Sequence, residues 1–106
     1  MKLPEVIQDL INAQNNADST AYANCFSEMA KVLDEGKTYI GKAAIESWIN
    51  ESNEKYSAVM KPVSFEGNTA KGVLKSEVSG NFPSSPILLH YNFEFEEERI
   101  SYLTIN

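Results

Sequence analysis

Apolar residues recur at helical spacing in the first half of the chain. One stripe consists of Leu3, Val6, Ile7, Leu10 and Ile11, and another of Ala44, Ile45, Trp48 and Ile49. Between these stripes, Asp18 is a typical N-cap for a short helix. That short helix carries Tyr22, Cys25 and Phe26 on one face. The pattern therefore predicts three helices, over residues 3–16, 18–26 and 41–54.

The rest of the pattern has the two-residue period of β-strands. A strand over residues 29–34 places Ala30, Val32 and Asp34 on the face turned toward the helices, and a turn at residues 35–36 leads to a second strand at 38–40. From residue 56 onward the spacing predicts strands over residues 56–65, 70–78, 87–95 and 100–105. Pro62 marks an edge strand or a bulge in the first of these.

Helices come first and a long antiparallel meander follows, which is typical of the α+β class. A chain of 106 residues without a repeat or linker is close to the commonest domain size, so we expect one domain over residues 1–106. The three helices should pack on the concave face of a strongly curved, mostly antiparallel sheet.

Composition excludes several classes of partner. Hydrophobic residues make up 42% and charged residues 23% of the chain, as in ordinary globular proteins. The net charge of −6 and the scattered basic residues argue against binding to nucleic acid or to an anionic membrane surface. No apolar stretch reaches bilayer length and the N-terminus lacks a signal-peptide pattern, so a cytoplasmic location is expected.

The chain has one cysteine and one histidine. Cys25 lies on an apolar helix face with no base near it in sequence, so we interpret it as a small core residue. His90 alternates with Tyr91 and falls on the outer face of the sheet, which favours a surface or interface role over a catalytic one. The sequence contains no zinc-like cluster, phosphate loop or dinucleotide fingerprint, and no metal or cofactor is expected.

Several short motifs resemble a known superfamily. They are the N-x-x-D corner at residues 15–18, the acidic strand end in residues 31–36, the G-x-x-A-I run at 41–45, and Arg99-Ile100 before the last strand. These motifs resemble SnoaL-like (polyketide cyclase-like) and ketosteroid-isomerase-like proteins of the nuclear transport factor 2-like superfamily. The resemblance implies a cystatin-like, cone-shaped half-barrel. It also implies a homodimer paired through the outer sheet face, where Val73 and Leu88 are apolar.

In ketosteroid isomerase, a carboxylate base works beside an oxyanion hole made by a tyrosine and a protonated aspartate. The resemblance places Asp34 at the position of the base. The position of the oxyanion-hole tyrosine corresponds to Leu10 in this chain, and leucine cannot donate a hydrogen bond. The position of the protonated aspartate corresponds to a residue near Tyr91. Asp34 and Tyr91 are thus the candidate catalytic residues, whereas ketosteroid isomerisation itself is not expected.

Each candidate also has a purely structural interpretation. Asp34 in an apolar pocket would have a raised pKa and could act as a general base, but Asp-Glu-Gly-Lys is also a good turn sequence in which the carboxylate bonds the backbone. Tyr91 either orients a ligand or is a core tyrosine. The expected pocket lining is Leu10, Tyr39, Trp48, Tyr56, Leu74, Leu89 and Phe93, with room left by the small residues Ala70, Gly72 and Ser76.

Three functions fit this pattern. The first is an enzyme of the isomerase, cyclase or dehydratase type with Asp34 as base. The second is a non-catalytic module whose pocket binds a small apolar molecule. The third is a dimerising interaction domain with a vestigial pocket. The missing donor at Leu10 weighs against the first, and the sequence does not separate the first from the second.

Overall fold

In the described part of the chain, nine elements form in the order predicted from the sequence. The structure is a computed structural model that describes residues 2–106. The helices are α1 (Glu5–Asn15), α2 (Ser19–Ala23) and α3 (Lys42–Tyr56). The strands are β1 (Phe26–Asp34), β2 (Lys37–Ile40), β3 (Val59–Gly67), β4 (Lys71–Ser79), β5 (Ile87–Glu96) and β6 (Arg99–Ile105). No helix among these residues is long and apolar enough to span a membrane.

All six strands belong to one curved, open sheet in the order β2-β1-β6-β5-β4-β3. Four of the five neighbouring pairs are antiparallel, and the β1–β6 pair is parallel. The predicted α+β class with a mostly antiparallel sheet is therefore confirmed. The sheet register shifts between Pro62 and Ser64 in the edge strand β3, where the sequence predicts an edge or a bulge.

The helices cover the inner face of this sheet. Every second residue of β4 is buried, as the alternation predicts, and its other residues are exposed. The inner face of the sheet and the apolar stripes of the helices share one core cluster. Its side chains with no exposed surface include Ile7, Leu10, Phe26, Val32, Ile45, Leu74, Ile100 and Leu103. Burial of these side chains is the main source of the fold's stability.

Two predicted boundaries are wrong. The helix α2 ends at Ala23, because Phe26 is fully buried and begins the parallel pairing of β1 with β6 opposite Ile100. The helix α3 extends through Tyr56, which the sequence places in a strand. It ends there because Ser57 adopts a left-handed conformation (φ 49°) and donates its amide hydrogen bond to Asn53.

Side chains at the end of α1 hold this helix against the start of β3. The side-chain amide of Asn15 pairs with both backbone groups of Met60: its Oδ1 accepts from the amide at 2.7 Å and its Nδ2 donates to the carbonyl at 3.0 Å. The neighbouring Gln14 is buried, and its Nε2 donates to the Ala58 carbonyl and to Asn53 Oδ1. These bonds provide partners for backbone N–H and C=O groups at the start of the edge strand β3, which would otherwise lack them.

Candidate functional site

Asp34 lies at the end of β1 on the helix-facing side of the sheet. Pairing of Leu33 with Thr104 places Asp34 beside Ile105 of β6, and Ile105 pairs in turn with Tyr91 of β5. Residues opposite each other on neighbouring strands project to the same face. Asp34 and Tyr91 therefore belong to one row of inward-facing residues, separated by a single strand.

The environment of Asp34 favours its protonated form. The side chain is half-buried, and burial raises the pKa of the carboxyl above its ordinary value of 3.8. The charge of Glu35 raises the pKa further, whereas hydrogen bonding by the Trp48 side chain and by the Glu35 backbone lowers it in part. The backbone hydrogen bond that acts on the pKa of Asp34 comes from Glu35, and the amides of Gly36 and Lys37, which an aspartate-stabilised turn would use, are not among the causes of the shift.

Two buried tyrosines lie near this carboxyl. Tyr91 is 5% exposed, and burial together with the charge of Asp34 raises the pKa of its phenol. Tyr22, on α2, is 1% exposed, and burial followed by the neighbouring Tyr91, Cys25 and Asp34 raises the pKa of its phenol. Both phenols are therefore neutral hydrogen-bond donors at physiological pH.

Trp48 connects α3 to this group. Its ring stacks on Tyr39 at a centroid distance of 5.5 Å and meets the edge of Tyr22 at 6.1 Å. Tyr39 reaches the same face because it pairs with Val32 of β1. Two aromatic residues predicted to line a pocket, Tyr39 and Trp48, and the candidate catalytic residue Tyr91 are thus placed around Asp34 by β2, α3 and β5.

Other predicted lining residues have different surroundings. Leu10, Leu74 and Phe93 are buried in the core cluster, and Leu89 is half-buried at its margin. Tyr56 lies at the end of α3, where its ring meets Phe82 edge-on at 6.0 Å and the Lys55 ammonium lies 5.0 Å from the ring centre.

The small residues of β4 leave less room than the sequence suggests. A Cβ atom on Gly72 would lie 2.4 Å from the Phe65 ring, so this ring occupies the space beside the glycine. Ala70 is exposed in the turn before β4, and only Ser76 of the three small residues is a buried inward side chain within the strand. Phe65 therefore fills the part of the interior for which a cavity was expected.

Two surface grooves lie away from Asp34. One is bordered by α1, α2 and the turn between β5 and β6, and the acidic residues Glu5, Asp9, Glu97 and Glu98 lie along it. The other lies on the outer sheet face, beside Val73, Lys75 and Tyr102. In the first groove, burial and the charge of Asp9 raise the pKa of the Cys25 thiol to about 11, although Arg99 lowers it in part, so the thiol stays protonated. We assign the candidate chemistry to the Asp34 group, where a carboxyl and two phenols lie on the helix-facing side of the sheet.

Solved structures closely match this fold. A candidate polyketide cyclase from Sinorhizobium meliloti is 32% identical, with a TM-score of 0.93 over 98% of this chain and 95% of that one. A cystatin-fold protein from Novosphingobium aromaticivorans has a TM-score of 0.83 at 16% identity over 100% of this chain and 98% of that chain. A protein with a ketosteroid isomerase-like fold from Catenulispora acidiphila, solved with trimethylamine, has a TM-score of 0.88 at 13% identity, covering 99% of this chain and 86% of that one.

No protein-family model matches the sequence, and no curated protein sequence is significantly similar to it. The last two structures establish the cystatin-like fold alone, because their sequences are too different to carry more. The first is similar in sequence as well as in structure, over nearly the full length of both chains. The chain therefore belongs to the SnoaL-like proteins of the nuclear transport factor 2-like superfamily.

Proposed function

We propose that the chain binds a small apolar molecule between α2, α3 and the sheet, and that Asp34 acts on it as a general base. The single observation that carries this proposal is the inward position of Asp34 in the row that leads to Tyr91. Among the described residues, no cationic group contributes to the pKa of the half-buried Asp34 carboxyl, and burying a carboxylate without such a partner is costly to the fold. Such groups concentrate at functional sites.

The chemistry that suits these groups is proton abstraction beside a carbonyl. The Asp34 carboxylate takes a proton from the carbon next to the carbonyl, the C–H electron pair moves toward the carbonyl oxygen, and a new O–H bond forms on Asp34. The raised pKa of Asp34 lies closer to physiological pH than the ordinary value does, and this makes the carboxylate a more effective general base. The neutral phenol of Tyr91 donates a hydrogen bond to the oxygen that gains charge. Return of the proton to another carbon would complete an isomerisation, and loss of a leaving group would complete a dehydration.

A non-catalytic ligand-binding or dimerising module is the second candidate. The observation that favours it is the filled interior: Leu10 stands where the related isomerase has a donor, and Phe65 occupies the space beside Gly72. In this case Asp34 and Tyr91 would only orient a bound molecule, or the pocket would be vestigial.

Binding is tested with the single tryptophan as reporter. Trp48 lies against Tyr22 and Tyr39, and its side chain is close enough to Asp34 to lower the pKa of that carboxyl, so a molecule in this site should move the NMR signal of the indole N–H. We expect saturable shifts with the uncharged ketone 2-tetralone and much weaker ones with the anion benzoate, which Asp34 repels. Shifts confined to Tyr56 and the loop at residues 80–86 would contradict the proposed location.

We also propose that two copies pair through the outer sheet face. Leu88 is 50% exposed and Val73 is 37% exposed on this face, and Val63 of the edge strand β3 is 55% exposed. Lys75 and His90 lie opposite each other beside these residues. An apolar centre with a polar rim is the usual composition of a protein interface.

Sedimentation at micromolar concentration should give about twice the chain mass of 11.8 kDa. Replacing Leu88 with Glu should shift the protein to the monomer mass, because the substitution puts a like charge at the same place in both copies. Met29 is 74% exposed at the other end of the sheet, so Met29→Glu is the matched control and should leave the dimer intact. A wild-type protein that sediments as a monomer would refute this interface.

A further inference from the structure

One corner of the inward sheet face is less enclosed than the centre of that face. In the centre, Leu103 is 0% exposed and Phe93 is 2% exposed. At the corner where β1 and β6 end, Asp34 and Ile105 are only half-buried, and so is Leu89 near the start of β5. These three side chains point toward the helices, so their exposed surface is open on the helix side of the sheet and not on its outer face.

Ile105 lies between the two candidate catalytic residues. The register of β1 with β6 places it beside Asp34, and the register of β6 with β5 places it opposite Tyr91. Because neighbouring strands are about 4.8 Å apart, the backbones of Asp34 and Tyr91 are about 10 Å apart, with one inward side chain between them. Leu89 is a diagonal neighbour of Ile105 on β5, within reach of its side chain. A molecule that contacts both Asp34 and Tyr91 therefore lies across Ile105.

Side chains fill the continuation of this row beyond Tyr91. Tyr91 pairs with Leu74 of β4, and Leu74 pairs with Phe65 of β3. Leu74 has no exposed surface, and the Phe65 ring occupies the space beside Gly72. The accessible part of the row is therefore its other end, from Asp34 to Ile105.

We propose that Ile105 determines the size of the ligand, because the apolar body of the ligand lies on this side chain while the reacting carbon meets Asp34. This inference rests on the proposed function and names the residue that sets its ligand specificity. Isoleucine is branched at Cβ and adopts few rotamers, so it forms a floor of fixed height. A shorter side chain at this position deepens the space above the sheet, and a larger one fills it.

The test compares two ketones of different size. Cyclohexanone has one ring, and 2-tetralone has a benzene ring fused to the same cyclic ketone. Their dissociation constants are measured through the Trp48 indole signal in the wild type and in Ile105→Ala, Ile105→Phe and Ile40→Ala. The last variant is the matched control, because Ile40 is an isoleucine of β2 that pairs with Lys31 and is 51% exposed on the outer face.

The preference for 2-tetralone over cyclohexanone should rise about tenfold in Ile105→Ala and fall about tenfold in Ile105→Phe, as expected when a hydrophobic pocket loses or gains carbon atoms. The preference should not change in Ile40→Ala. If both ketones bind and the preference is the same in the wild type and in both Ile105 variants, Ile105 does not determine ligand size.

A second measurement uses the wild-type protein, so it does not depend on the folding of a variant. With the isoleucine methyl groups labelled with 13C, bound 2-tetralone should give nuclear Overhauser effects to the methyl groups of Ile105. The methyl groups of Ile45 and Ile100 should give none, because both side chains are 0% exposed. Effects at Ile45 or Ile100 without any at Ile105 would place the ligand in the interior and overturn the proposal.

Failure of the proposed function gives a different result from failure of this inference. If neither ketone moves the Trp48 signal of the wild type, the binding site beside Asp34 is refuted, and the role of Ile105 with it. If both ketones move that signal but neither gives an effect at Ile105, the binding site stands and only the role of Ile105 is overturned.

Discussion

Replacing Asp34 with Asn should slow proton exchange in a bound ketone by about 100-fold or more, the usual contribution of a positioned general base. The assay follows deuterium incorporation into 2-tetralone by NMR, with the wild-type protein accelerating the exchange over buffer. Glu28→Gln is the matched control, because Glu28 is an exposed carboxylate of the same strand and does not contribute to the raised pKa of Asp34. Equal rates in Asp34→Asn and the wild type would exclude Asp34 as the base.

The same substitution should leave the free energy of unfolding at pH 7 equal or higher. The pKa of Asp34 is raised in the folded protein, so the folded state holds its proton more tightly than the unfolded state does. Stability therefore falls as the pH rises from the ordinary value of 3.8 through the raised pKa. Asn carries no charge at any pH. Any gain in the free energy of unfolding of Asp34→Asn over the wild type should therefore grow as the pH rises through this range and vanish at lower pH. A turn aspartate would instead cost about 1 kcal/mol when replaced.

Truncating Leu74 to Ala should lower the free energy of unfolding by about 2–5 kcal/mol, as for other fully buried leucines. Leu74 has no exposed surface and pairs across strands with Tyr91, so its side chain lies directly beside the proposed site. Urea denaturation followed by Trp48 fluorescence measures the change. The size of the change shows whether the Leu74 side chain is tightly packed on all sides or borders an empty cavity.

Val73 provides the control for this variant. It is the next residue in β4 but faces outward and is 37% exposed, so Val73→Ala should change the stability of the monomer by no more than about 0.5 kcal/mol. A loss below about 1 kcal/mol for Leu74→Ala would mean that Leu74 makes few contacts and that the interior is open at this point, contrary to the packing described above.

Local patterns predicted the parts of this fold that depend on neighbours in sequence. The alternation of β4 identified its buried face, and the spacing around Trp48 identified the inner face of α3. Alternation of apolar and polar residues in β1 likewise predicted that Asp34 lies on the helix-facing side of that strand. These predictions rest on the fixed periods of strands and helices, which hold wherever one face is buried.

Contacts distant in sequence could not be predicted in the same way. The parallel pairing of β1 with β6, the bond between Asn15 and Met60 and the packing of Phe65 over Gly72 all join residues whose meeting depends on the finished fold. The position of Tyr22 near Asp34 was not predicted for the same reason, since a tyrosine on an apolar helix face predicts burial of the ring but not which strand residues the ring meets. The only indication in the sequence was the tyrosine hydroxyl itself, because a buried hydroxyl usually needs a hydrogen-bond partner.

The account depends most directly on the protonation of Asp34. Labelling the aspartate carboxyl carbons with 13C and titrating the folded protein by NMR gives the pKa of this one group, assigned by its absence in Asp34→Asn. We expect a pKa above the ordinary value of 3.8, because burial and Glu35 both disfavour the charged form. A pKa at or below that value would show that backbone hydrogen bonds hold the carboxylate in a turn, and would contradict its assignment as the base.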